Sequence, residues 1–326
     1  DEEEKDMALN TLEYATQLQT ALDEKAVAAL TSGWMDGNAS QVTYRGGNKI
    51  RMPEMEVTGL KDYDRDNGYP AGSVTLTFKD YEMTQDRGTS FQLDAMDVDE
   101  TNFIANATQV TGKFQKEQVV PEIDAYRYSK LHALLYAAGR KTDYTADADT
   151  VWDALQADIA AVQDVVGEET ALVITIRQTV KNLLENNEKF TKIVNVADFS
   201  SGAVKTRLKQ INNCYLRPVP SSRMKSAYVF NDGKSSGEEK GGFAPAENAV
   251  NINWIITPQS APIAVTKQDK MKIFSPDVYQ KADAWFIGYR RYHEMWLPET
   301  RYEKCWTNAE AATSAGGGEE EEGGGV

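Results

Sequence analysis

Two segments of this chain alternate apolar and polar residues, and the turn between them cannot contribute to a core. The segments are Ile50–Thr58 and Gly72–Met83, and their period of two is typical of strands with one sheltered face. The connecting turn, Lys61–Gly72, is dense in Asp, Asn, Gly and Pro. An isolated two-stranded hairpin is at best marginally stable in water. The pattern therefore predicts a hairpin arm that needs a partner surface, which indicates assembly.

A long amphipathic helix follows the hairpin, and the stretch Asp86–Phe103 connects the two. Apolar residues recur at helical spacing over residues 103–114, and acidic residues just before them suit a helix N-terminus. Pro121 interrupts this pattern, which then resumes and continues to about Gly139. Because proline removes a helical hydrogen bond, the sequence predicts a kinked or restarted long helix.

The rest of the chain mixes helical and strand patterns. Near the N-terminus, Asn10 and Glu13 form the capping-box pattern of an amphipathic helix. Helical spacing from Val151, an apolar run at 171–176 and helical spacing from Val180 predict a helix–strand–helix unit. Further strands are predicted at Asn212–Pro220, Val250–Ile256 and Ala261–Thr266, and the aromatic stretch Ala284–Leu297 is interpreted as a core strand pair.

Composition sets broad limits on structure and function. The 326 residues suffice for one large or two modest domains, and a formal net charge of -15 argues against a general nucleic-acid binder. Cys214 and Cys305 lie far apart, so neither a disulfide framework nor a zinc site is predicted. No apolar run is long enough to cross a membrane, and the acidic ends 1–6 and 316–326 are expected to be mobile.

The sequence offers little catalytic chemistry. Its two histidines, His132 and His293, lie on separate elements, and the neighbouring Glu294 would face the opposite side of a strand from His293. Asp62, Asp64 and Asp66 superficially resemble a calcium loop, but Ser73 stands where the twelfth-position Glu would be. We therefore predict no catalytic residue, no cofactor and no metal site, although abundant carboxylates leave an acid pair of the glycosidase type possible in composition.

Charge is distributed unevenly along the chain. Residues 54–100 contain twelve acidic and four basic residues, whereas residues 192–225 contain seven basic residues and one acidic residue. Segments of opposite charge in one chain suit docking between subunits. The alternative interpretation is that both are independent solvated faces.

The order and the amino-acid sequences of several segments resemble those of the major capsid proteins of tailed bacteriophages, which have the Hong Kong 97-like fold. The segments that carry this resemblance are Ile50–Thr58, Gly59–Tyr69, Asp86–Gly88, Met96–Thr101, Val119–Arg127 and Asp283–Trp285. The resemblance implies an α+β fold with an N-terminal arm, an extended β-hairpin loop, a long spine helix in a peripheral domain, and an α/β axial domain.

The same resemblance implies how the chain is divided. It implies an N-terminal arm at 1–40, an extended loop at 41–100, a peripheral domain with the spine helix at 101–144, an axial domain at 145–265, a return to the peripheral domain at 266–308 and an acidic low-complexity tail at 309–326. Met7 reads as a gene start, so we expect no long fused scaffold.

As a function, the resemblance implies assembly and no enzymatic turnover. The chain would form pentamers and hexamers of an icosahedral phage head that encloses double-stranded DNA without sequence recognition. It would be located in the virion capsid after assembly in the bacterial cytoplasm, with scaffolding, portal and decoration proteins as further partners and no membrane. An encapsulin-type shell of a protein nanocompartment and an acidic hydrolase are the alternatives.

We expect the extended loop to form the subunit interface. The predicted interface residues are Asp62, Asp64, Arg65, Asp66, Val74, Leu76 and Phe78, and the basic docking candidates on the next subunit are Lys205, Arg207, Lys209, Arg217 and Arg223. In this hypothesis apolar burial holds the loop, while the charges set its register and the rate of assembly.

Overall fold

The structure is a computed structural model that describes residues 30–94 and 111–311, except 67, 202–203, 212, 275, 277 and 280. The predicted N-terminal helix, the start of the spine helix and the acidic tail lie outside the described residues. The helices are α1 (Val120–Ala137), α2 (Val151–Val166), α3 (Gln178–Glu185) and α4 (Glu188–Ile193). Short 3-10 helices span Gly33–Gln41, Ser221–Arg223 and Glu299–Lys304.

The strands follow one another along the whole described chain. They are β1 (Thr43–Gly46), β2 (Lys49–Val57), β3 (Val74–Glu82), β4 (Gln85–Asp94), β5 (Lys141–Asp143), β6 (Leu172–Arg177), β7 (Asn195–Ser201), β8 (Val204–Ile211), β9 (Cys214–Val219), β10 (Tyr228–Phe230), β11 (Phe243–Pro245), β12 (Ile252–Pro258), β13 (Ile263–Phe274), β14 (Ala284–Trp296) and β15 (Trp306–Ala309).

A mixed seven-stranded sheet forms the centre of the molecule, with the order β5-β15-β12-β6-β9-β8-β7. Every residue of β6 is buried, as expected for a strand covered on both faces. Residues of α2, α3 and α4 pack on one face of this sheet, and Tyr128, Leu131 and Leu135 of α1 pack on the other. The predicted helix–strand–helix unit and the α+β class are confirmed.

The predicted interruption of the long helix near Pro121 takes the form of a π-helical segment. Residues 111–114 are helical, Gln115–Val119 form a π-helical segment, and α1 then begins with Pro121 in its first turn. Proline cannot donate the hydrogen bond that a regular helix needs, and its ring crowds the carbonyl group of the preceding turn. The π-helical segment therefore lets one continuous helical path accommodate the proline.

A buried carboxylate on α1 fixes the segment that precedes the hairpin. Asp124 is fully buried and accepts hydrogen bonds from the backbone N–H and hydroxyl groups of Thr31 and Ser32. Arg223 Nη1 adds an ion pair to Asp124 at 2.8 Å. One turn further along α1, Arg127 binds Asp36 through two hydrogen bonds. Since a buried charge is tolerated only when it is paired and hydrogen-bonded, this cluster holds residues 31–36 against the helix.

A second, three-stranded sheet has the order β13-β14-β4. The stretch after the hairpin forms β4, which pairs with β14 along its whole length, from Gln85↔His293 to Asp94↔Ala284. The approach is close at Gly88, where a Cβ atom would lie 2.6 Å from the Tyr289 carbonyl oxygen. The expected strand pair in 284–297 is wrong, because β14 is one continuous strand of 13 residues.

Both histidines are buried, and their environments disfavour the charged form. Burial lowers the pKa of His132 to about 4, and its Nδ1 lies 2.8 Å from the Thr307 hydroxyl. Burial also lowers the pKa of His293 well below its ordinary value, and the nearby cations Arg127 and Arg291 act in the same direction.

These two histidines predict a loss of stability in mild acid. An unfolded histidine has a pKa near 6.5, so between that value and the lowered folded pKa the unfolded chain binds more protons, and stability falls as the pH falls. From pH 7 to pH 5 we expect the free energy of unfolding to decrease by about 2 kcal/mol through His132, and His293 to act in the same direction. Urea unfolding at pH 7, 6 and 5 measures this loss.

Histidine variants distinguish the contribution of the histidines to the pH dependence of stability from that of the acidic residues. The pKa values of Glu122 and Asp158 are raised by burial, so these groups act in the opposite sense and favour the folded chain as the pH falls. His132→Gln and His293→Gln should each flatten the pH dependence above pH 5. Identical slopes in the parent protein and both variants would contradict the assignment.

Candidate subunit interface

The β2–β3 hairpin is regular from its base to its tip. The strands pair antiparallel from Lys49↔Glu82 to Val57↔Val74 without a register shift. Residues directly opposite each other lie on the same face of an antiparallel pair, and successive residues alternate between faces. The hairpin predicted from the sequence is confirmed, and its two faces can be followed residue by residue.

At its base, the hairpin is part of the core of its own subunit. Ile50, Met52 and Met83 lie on one face and are at most 3% exposed. They pack against Ile263 and Val265 of β13, together with Trp296 of β14. The opposite face at this level is polar and exposed, with ion pairs such as Lys49–Glu82. The base is therefore anchored by burial of one apolar face.

Beyond the base, the apolar residues change to the opposite face. The cross-strand pairs of this distal half are Pro53↔Phe78, Met55↔Leu76 and Val57↔Val74. Met55, Val57, Val74, Leu76 and Phe78 are between 50% and 66% exposed. We call these five side chains the distal apolar face. Exposed apolar surface is typical of interaction sites in other proteins, because its burial stabilises a complex by about 25 cal/mol per Å².

The amino-acid sequence already shows this change of face. Apolar residues occupy even positions at Ile50 and Met52 but odd positions at Met55 and Val57, and β3 shifts in the same way between Phe78 and Tyr81. Our expectation of one sheltered face along each strand is therefore wrong. The shift of the apolar residues between even and odd positions could have predicted this change of face. It divides the hairpin into an anchored base and an exposed end.

Polar contacts brace the hairpin where the two halves meet. Lys79 Nζ lies 3.3 Å from Glu54 and 2.8 Å from Glu299, which is in the last 3-10 helix. Tyr81 donates a hydrogen bond to Glu54 Oε1, and burial raises the pKa of Tyr81 to about 12, with the Glu54 charge adding to the shift. These contacts fix the direction in which the distal half leaves the subunit.

The turn at the tip carries the predicted charged residues. Asp62, Asp64, Arg65 and Asp66 are all exposed. The turn is ordered by local bonds: Asp64 Oδ1 accepts from the Asp66 N–H at 2.9 Å, and Lys61 Nζ donates to the Ala71 carbonyl oxygen at 2.7 Å. The structure thus brings the acidic turn and the distal apolar face together on one projecting element.

The basic docking candidates are less uniform than the sequence suggests. Arg217 is buried and donates to the Leu30 carbonyl oxygen, and Arg223 pairs with Asp124, so both serve their own subunit. Arg207 and Lys209 lie on β8 and pair with Asp198 and Glu185 respectively. Lys205 is also on β8, opposite Ser200 of β7. Arg207 and Lys209 remain on the surface, and each already has an acidic partner.

Across the described residues, no group of three or more His, Cys, Asp or Glu side chains is placed to hold a metal ion. Among the helices of the described ranges, none is both long enough and apolar enough to cross a bilayer. A cavity of about 950 Å³ lies between α1, β4, β14 and the loop after β10, where Arg87 binds the carbonyl oxygens of Asn231 and Gly242.

Solved structures of phage proteins resemble this architecture. No family model and no curated protein sequence matches the chain. Among solved structures, a protein of Microbacterium phage Oxtober96 is 12% identical with a TM-score of 0.54, over 82% of this chain and 88% of that one. The mature capsid of bacteriophage PhiM1 gives 14% identity and a TM-score of 0.51, over 83% and 84% of the two chains.

The capsid structure of cyanophage P-SCSP1u is similar to the same degree, with 13% identity and a TM-score of 0.51 over 83% of this chain and 86% of that one. At such low identity the similarity establishes the fold. The chain therefore has the fold of phage capsid proteins, and the fold that we expected from the sequence resemblance is confirmed.

The two halves of the hairpin predict opposite effects of truncation on subunit stability. Ile50→Ala at the base should lower the free energy of unfolding by about 2–5 kcal/mol, because it leaves a cavity in a buried cluster. Phe78→Ala in the distal half should change it by less than about 1 kcal/mol, because that side chain is 53% exposed. Urea unfolding at low protein concentration measures both. Equal losses would show that the distal half is part of the subunit core.

Proposed function

We propose that this chain is the major capsid protein of a tailed bacteriophage and acts by assembly. The capsid fold is one support, and the observation that carries the proposal is the distal apolar face on a hairpin whose base is anchored in its own subunit. A rigid projecting element with unburied apolar surface fits a contact with a neighbouring subunit. In this proposal the chain forms pentamers and hexamers that close into an icosahedral head around double-stranded DNA.

The proposed divisions of the chain follow from this function. The hairpin is the extended loop, and α1 is the spine of the peripheral domain. Strands β6–β9 and β12 of the seven-stranded sheet belong with α2–α4 to the axial domain. The three-stranded sheet returns the chain to the peripheral domain. Its proposed location is the virion capsid after assembly in the host cytoplasm, with scaffolding, portal and decoration proteins as partners. Enzymatic turnover is not part of this function.

Assembly of the purified chain tests the proposal. We expect light scattering to show ring-sized oligomers as protein concentration rises, and negative-stain micrographs to show rings and, with scaffolding partners, closed shells. Phe78→Ala should shift assembly to higher protein concentration, because it removes apolar area that is buried only between subunits. Asn182→Ala, an exposed change on α3, serves as a control. A parent chain that stays monomeric over a wide range of concentration, salt and crowding would contradict the proposal.

A further inference from the structure

The strand β4 has a free edge that borders a cavity. It pairs with β14 on one side, and among the described residues no strand pairs with its other side. Six consecutive residues of β4, Asp86–Phe91, line the cavity of about 950 Å³. Successive side chains of a strand point to opposite faces, so a cavity that reaches every residue of such a run extends along the strand edge. Unpaired backbone N–H and C=O groups of β4 therefore border this cavity.

The cavity is a groove with two further walls. One wall is the helical path over residues 114–123, and the other is the loop between β10 and β11. Arg87 fixes this loop, because it donates hydrogen bonds to the carbonyl oxygens of Asn231 and Gly242. Five strand residues span about 16 Å, and binding pockets in proteins typically enclose about 300–1,000 Å³. The groove therefore has room for an extended peptide beside β4.

The two edges of the second sheet differ in how they are protected. Its other edge strand, β13, is interrupted by a register shift and carries three exposed lysines, Lys267, Lys270 and Lys272. Lysines and bulges on an edge strand hinder its pairing with other chains. By contrast, β4 contains neither lysine nor proline, and its pairing with β14 is regular. The chain therefore leaves β4 able to accept a further strand.

One end of the groove is aromatic. The Phe91 and Phe114 rings are 5.0 Å apart, and the Phe114 and Tyr289 rings are 5.7 Å apart. Tyr289 is buried, whereas Phe91 and Phe114 are only half-buried and line the cavity. An apolar side chain placed here would remove the remaining aromatic surface from water, which stabilises a complex.

The end at which Arg87 holds the loop is basic. Lys234 and Lys240 line the cavity, are exposed, and make no ion pair within the part of the chain that the structure describes. The carboxylates of Asp232 and Glu239 also line it, but backbone N–H groups of the loop bind them and lower their pKa, that of Asp232 to about 2. The charges left without a partner are positive, so this end suits an acidic group.

Other segments of this chain do not match the groove. The N-terminal segment 1–29 begins near it, since Leu30 packs with Ile123 and Tyr289, which line the cavity. Its apolar residues recur at helical spacing, however, and a helix uses its backbone groups internally and has none to pair with a strand edge. The acidic stretch 316–325 has no apolar side chain. The matching occupant is therefore another molecule.

We propose that this groove binds an extended segment of a partner protein, which adds a strand to the free edge of β4. Apolar side chains of the segment pack against Phe91 and Phe114, and its carboxylates lie beside Lys234 and Lys240. In strand addition, main-chain hydrogen bonds supply affinity, and pockets for alternate side chains supply specificity. The inference goes beyond the proposed function, because one folded copy suffices for it.

Peptide selection on the full-length chain tests the site. A displayed library of random peptides is depleted on Thr89→Trp and then enriched on the parent chain, because Thr89 is exposed in the groove and an indole there would fill it. We expect peptides with alternating apolar residues and an acidic end. Thr75→Trp, an exposed change on β3, should bind them like the parent chain, and circular dichroism checks that each variant folds. Failure to find any peptide that distinguishes the parent chain from Thr89→Trp would overturn the proposal.

Backbone methylation shows whether a selected peptide pairs as a strand. N-methylation of one alternating set of its backbone nitrogens should raise the Kd by about tenfold or more, because it removes the hydrogen bonds to β4. Methylation of the other set should change the Kd by less than about threefold, since those N–H groups point away. Fluorescence anisotropy of labelled peptides measures both. Equal effects of the two sets would contradict strand addition.

Charge reversal tests the basic end of the groove. Lys234→Glu/Lys240→Glu should raise the Kd of a selected acidic peptide by about fivefold at low salt, and replacing the peptide's acidic residues with lysine should restore binding to this variant. Lys270→Glu/Lys272→Glu makes the same charge change on β13 and serves as the matched control. Equal effects of the two double variants would contradict the placement of the acidic end.

Hydrogen exchange of the dilute chain separates this inference from the proposed function. With peptide bound, amides of 87–91 should gain protection, whereas amides of 268–272 on β13 should not. Protection of every amide in 87–91 without peptide would show that the chain covers its own edge, which would overturn the proposal. Peptide binding by a chain that never assembles would contradict the proposed function alone. Shells formed by a chain that binds no peptide would contradict strand addition alone.

Discussion

One constraint organises this molecule: the apolar side of the β2–β3 hairpin changes face halfway along its length. The backbone register stays regular, so the change belongs to the side chains. The base must bury Ile50 and Met52 in its own subunit, and the same strands must then expose Met55 and Val57 on the other side. Among the described residues, the base set is buried and the distal set is exposed. We propose that a neighbouring subunit covers the distal set.

The rest of the fold gives this hairpin a fixed direction. Residues 31–36, which precede it, are held by Asp124 and Arg127 of α1. The chain that follows it enters β4, whose pairing with β14 ties it to the second sheet. Lys79 and Glu54 brace the point where the apolar face changes. A projecting element that is fixed at both ends loses little further entropy on docking, which favours association.

Much of this architecture is encoded in local patterns. The hairpin, the helix–strand–helix unit and the disturbance at Pro121 follow from alternation, helical spacing and the chemistry of proline. The second sheet was harder to predict, because Gln85–Asp94 pairs with a strand about 200 residues away and local sequence does not record such pairing. The pairing of Arg217 and Arg223 within their own subunit was missed for a related reason. Their partners, Leu30 and Asp124, are distant in sequence, and a count of charges cannot show which charges are already paired.

The central claim is that the distal half of the hairpin is unburied in one subunit and becomes buried between subunits. Hydrogen exchange measured by mass spectrometry on dilute and assembled protein tests it directly. Amides of 49–52 and 79–82 should be protected in both samples, since the base is anchored in the subunit, while amides of 54–57 and 74–78 should gain protection only on assembly. Equal exchange of the distal amides in dilute and assembled protein would contradict the account.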